Sequence, residues 1–109
     1  MAKEIVTLWQ THQRAALPDV PQESKGELWV LDEVIGGCVA YYLNAGGVLD
    51  ASRVVVLQDC RADLERLLPG LDETAAGYFS RLGTLAELVL TAHASRGDAC
   101  ENGGEASRS

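Results

Sequence analysis

At 109 residues, 47% apolar and 23% charged, the chain has the composition of one globular domain and not of a disordered or low-complexity segment. A chain this long buries roughly 60–70% of the surface it exposes when unfolded, so it needs neither disulfide nor metal to fold. Its 16 acidic and 9 basic residues give a formal charge of -7, which repels nucleic-acid phosphates and anionic lipid and argues against both as partners.

The first segment, Lys3 to Leu17, sets Ile5, Leu8, Trp9, His12, Ala15 and Ala16 on one side of a helix at the 3.6-residue period, and Pro18 stops it. Glu4, Gln10, His12 and Arg14 interrupt this segment, so it lacks the unbroken apolar stretch of a secretory signal. Residues 19–26 read as a loop. Ser24-Lys25-Gly26-Glu27 matches a capping box and starts a second helix near residue 25.

Along the second helix Leu28, Leu31, Ile35, Cys38, Val39 and Tyr42 form one stripe, with Gly36, Gly37 and Ala40 toward the other side, so two faces are candidates for burial. Each glycine costs about 1 kcal/mol relative to alanine, which the close approach of a neighbouring backbone would explain. A rival reading turns Leu28–Ile35 and Cys38–Leu43 into a β-hairpin at Gly36-Gly37, giving an α+β fold. Consecutive apolar residues at 28–31 and consecutive acids at Asp32-Glu33 break the alternation a strand needs, and favour the helix.

Asn44-Ala45-Gly46-Gly47 is a helix stop, and Asp50 or Ser52 can cap a third helix running to Leu68, where Pro69-Gly70 ends it. Val54, Leu57, Cys60, Leu64, Leu67 and Leu68 line its inner face, with Val55 opposite. Asp72 caps a fourth helix whose apolar face is Ala75, Tyr78, Phe79, Leu82, Leu85, Ala86, Val89 and His93. After Ala94 the sequence has too little apolar surface to offset ordering entropy. The expected architecture is all-α, about four amphipathic helices in a compact bundle: one domain over residues 1–94 and a disordered tail over residues 95–109.

Metal and catalytic patterns are weak. The residues three before His12 and His93 are Trp9 and Leu90, so no E-x-x-H pair exists, and Cys38, Cys60, Cys100 and the two histidines have no local ligand spacing. No phosphate-cradling glycine loop or serine elbow is present. The expectation is therefore no enzyme activity, no cofactor and no metal site. Three cysteines without a C-x-x-C suit reduced thiols and a cytoplasmic setting, and the run from Val34 to Leu43 is too short to span a bilayer.

His12 and His93 read as core-edge imidazoles, and Cys38 and Cys60 as small hydrophobes. Asp32 stands apart, because it lies beside Leu28, Leu31 and Ile35; a partly buried acid there needs a partner, for which Arg61 is the candidate. Trp29 and Tyr41 fall outside the main stripe, on either side of the small-residue face. The expected partner is accordingly another protein, a basic one, bound through Trp29, Glu33, Gly37, Ala40 and Tyr41 as small inhibitors or immunity-type proteins bind theirs. Two alternatives stand beside it: a structural or regulatory homo-oligomer joined through the same helix face, and a small-ligand-binding bundle with a pocket near Tyr41, Tyr42, Cys38 and His12.

Overall fold

The computed structural model describes the backbone of residues 2–104 and the side chains of residues 3–94. It is all-helical, with α1 (Ala2–Arg14), α2 (Lys25–Asn44), α3 (Ala51–Leu67) and α4 (Glu73–Gly104), and short 3₁₀ turns at Gln22–Ser24 and Leu68–Gly70. The α4 backbone stays helical to Gly104, within the segment expected to be a tail; residues 105–109 and the side chains from residue 95 on, that of Cys100 among them, lie outside the described residues.

α4 is the element on which the others converge: α1, α2 and α3 each pack on it, and α2 also packs on α3. The apolar face of α4 enters the core from Ala75 to Val89, with Ala75, Phe79, Leu82, Leu85, Ala86 and Val89 fully buried and Tyr78 nearly so, while His93 at its end is half-buried. The hairpin reading is excluded, because α2 runs unbroken through Gly36 and Gly37. Its six stripe residues, Leu28, Leu31, Ile35, Cys38, Val39 and Tyr42, are all buried. At roughly 1.5–3 kcal/mol for each large apolar side chain their burial is worth on the order of 10 kcal/mol, against about 2 kcal/mol for two helical glycines.

Helix ends follow from local chemistry. α2 closes with Gly46 at φ 77° and Gly47 at φ 90°; the Gly47 N–H donates to the Tyr42 carbonyl at 2.9 Å, the long-reach bond of a Schellman cap. At α3 the Asp50 carboxylate accepts from the Arg53 N–H at 2.8 Å, which holds its pKa below the usual aspartate value. At α4 Asp72 accepts from the Ala75 N–H at 2.9 Å.

Two sequence expectations about helix ends fail. α1 stops at Arg14 and not at Leu17, since Pro18 disfavours helical geometry in the residue before it and the Ala15 N–H reaches back only to the His12 carbonyl, at 3.2 Å. The Ser24 capping box does not form either. The 3₁₀ turn leaves Ser24 at φ -108°, ψ -1°, outside the extended conformation a capping serine needs, and its side chain makes no cap bond. Glu27, freed from that role, accepts from Arg66 of α3 at 2.6 Å.

Candidate functional site

Two regions carry the groups singled out by their chemistry. The first is a polar cluster enclosed where α1, α2 and α4 meet. His12, 5% exposed, places Nε2 3.1 Å from Oδ1 of Asp32. The Tyr78 hydroxyl donates to the same carboxylate oxygen at 3.2 Å, and Arg81 Nε–H donates to His12 Nδ1 at 3.3 Å. Since Nδ1 accepts, the imidazole proton sits on Nε2 and points at Asp32. The His12 and Tyr78 rings are 4.4 Å apart, and the Arg81 guanidinium lies 5.7 Å from the centre of the Tyr78 ring.

Burial, then the Asp32 charge and the hydrogen bond to it, push the Tyr78 phenol up to about 12, with Arg81 opposing. Asp32 thus has two donors, His12 and Tyr78, and the predicted partner Arg61 is elsewhere, 3.7 Å from Glu87. The need for a partner was readable from Asp32 beside an apolar stripe. The identity of the partner was not, because it depends on which helices are neighbours, and nothing local marked Arg81.

The second region is the outer side of α2. At helical spacing Val30, Glu33, Gly37 and Tyr41 share this face, with Val30 57% exposed, Glu33 and Gly37 exposed, and Ala40 and Tyr41 half-buried beside them. The Arg53 guanidinium stacks 3.8 Å from the centre of the Tyr41 ring. Trp29 is half-buried at the edge of this face, with its ring 5.9 Å from that of Tyr78 and 5.5 Å from that of Phe79.

The glycine pair divides. A Cβ on Gly37 would meet no atom within 4 Å, whereas one on Gly36 would stand 3.3 Å from Cη2 of Trp9. The close approach expected at the pair is therefore made at Gly36 alone, by an indole side chain and not by a neighbouring backbone.

The thiols of Cys38 and Cys60 carry no disulfide, and burial pushes both upward. His93 is half-buried and accepts at Nδ1 from the Leu49 N–H, at 3.4 Å. Among the described residues no group of three or more His, Cys, Asp or Glu side chains could hold a metal ion, and no helix is long and apolar enough to cross a membrane. A groove of about 620 Å³ between α1 and α4 is lined by Lys3, Glu4, Thr7, Leu8, Thr11 and Leu88, none of them in the polar cluster. Comparison with known family models, characterised proteins and solved structures finds no match to this chain.

Proposed function

We propose that this chain is a small acidic protein-binding module that presents the outer face of α2 to a basic protein. The observation that carries the reading is the stripe Val30, Glu33, Gly37, Tyr41: an exposed valine, carboxylate and glycine beside a half-buried tyrosine. Gly37 supports it in particular, since nothing stands within 4 Å of its missing side chain and a partner's backbone can approach there.

Charge supports the choice of partner. Arg53, Arg61 and Arg66 are taken up by Asp50, Glu87, Glu27 and Asp63, while Glu4, Asp19, Glu23, Asp59, Glu65 and Glu73 are exposed. A surface biased in this way speeds encounter with a basic protein and rejects an acidic one.

Native mass spectrometry of the protein purified from its host at modest salt, repeated at high salt, tests the reading. The expected species is a heterocomplex with a basic protein that dissociates as salt rises. Glu33→Lys and Gly37→Gln should each weaken the purified complex by about tenfold or more. A salt-resistant homodimer, or a heterocomplex that both substitutions leave intact, overturns it.

A further inference from the structure

The polar cluster combines a buried imidazole with a guanidinium donating to the one ring nitrogen that has no proton. From α2 this imidazole faces Asp32, from α4 it faces Tyr78 and Arg81, and on α1 itself its ring neighbour is the uncharged Trp9, stacked at 6.2 Å. A guanidinium has N–H donors and no acceptor, so Arg81 Nε–H can only donate. Nδ1 can therefore hold Arg81 or a proton, but not both.

We propose that His12 is a proton-operated clasp between α1 and α4. Uptake of a proton at Nδ1 expels Arg81, while the Nε2–H bond to Asp32 remains and becomes an ion pair. The link from α1 to α2 strengthens as the link from α1 to α4 opens. The released guanidinium is half-buried and already lies within cation–π reach of the Tyr78 ring, so it can turn outward without losing every partner. Tyr78 also carries Trp29 against its ring, at 5.9 Å, and this contact couples the clasp to the edge of the outer face of α2. Asp32, with a quarter of its side chain exposed, gives solvent protons a route to the cluster.

Nuclear magnetic resonance of the ¹⁵N-labelled protein tests the mechanism. At high pH the His12 ring should show a proton on Nε2 and none on Nδ1, with an Overhauser contact from Arg81 Nε–H to the ring. As pH falls, that contact should be lost and the Arg81 Nε–H resonance should move, both following the same curve as the His12 ring protons. In His12→Gln the pH dependence of Arg81 Nε–H should vanish. If this variant does not fold, the coincidence of the two wild-type curves decides alone. A neutral His12 with its proton on Nδ1, or an Arg81 Nε–H that stays put while His12 titrates, overturns the proposal.

Discussion

Replacing Gly37 by alanine should stabilise the protein, whereas the same change one position earlier should not. Both glycines sit inside α2 with ordinary helical backbone, so alanine at either relieves the unfolded chain of the same conformational freedom, worth about 0.8–1 kcal/mol. At Gly37 the new methyl enters open space and the full gain should appear. At Gly36 it would stand 3.3 Å from Cη2 and 3.6 Å from Cζ3 of Trp9, so the indole must move by a few tenths of an ångström.

The half-buried Trp9 ring is restrained on one side, where it stacks at 6.2 Å on His12, whose two nitrogens are both engaged by other helices. Overpacking a contact of this kind costs roughly 1–3 kcal/mol, enough to cancel or reverse the gain. Urea unfolding with unchanged m-value measures both effects. In a Trp9→Leu background Gly36→Ala should recover its stabilisation, giving a coupling of about 1 kcal/mol or more in the double-mutant cycle. Equal stabilisation at the two positions, or zero coupling to Trp9, would refute the assignment of Trp9 as the neighbour that keeps Gly36 a glycine.

Further outcomes follow from the cluster and the caps. The Tyr78 phenol ionises more readily in the unfolded chain than in the fold, where it is pushed up to about 12; its contribution to stability is therefore intact below pH 10 and lost as pH rises from 10 to 12. Relative to Tyr78→Phe, the wild type should lose on the order of 2 kcal/mol across that interval in pH-dependent denaturant titrations, and parallel profiles would dismiss the shift. Asp72→Ala should cost about 1 kcal/mol by thermal or urea unfolding, since it strips the Ala75 N–H of its acceptor, while Ser24→Ala should cost almost nothing because Ser24 caps nothing.

Much of the fold was legible because it rests on periodicity. The stripes of α2 and α4 could be read directly, and every large residue assigned to them is buried except His93, which is half-buried. What stayed hidden depends on events one step beyond the pattern. The Ser24-to-Glu27 spacing is a valid capping signal, yet a 3₁₀ turn immediately before it leaves the serine with the wrong backbone angles. Gly36 and Gly37 look alike in sequence, but one step along the helix turns the side-chain direction by about 100° and puts only one of them against an indole. Asp32 could be recognised as an acid in need of a partner. His12 and Tyr78 lie 20 and 46 positions away, so no local spacing could name them.

The way α1 is attached has a consequence for the native ensemble. α1 rests chiefly on α4, at the far end of the chain, and among the described residues supplies a single fully buried aliphatic side chain, Ile5, whereas α2, α3 and α4 adjoin in sequence and share most of the core. With α2, α3 and α4 assembled, α1 is tethered only through residues 15–24 and returns little apolar burial on docking, so its undocking is a low-cost opening of the molecule. The other three helices can stay assembled while it leaves. Trp9, stacked on His12 within the docked helix, then meets two environments, one against Gly36 and one in water, without the chain crossing its main unfolding barrier.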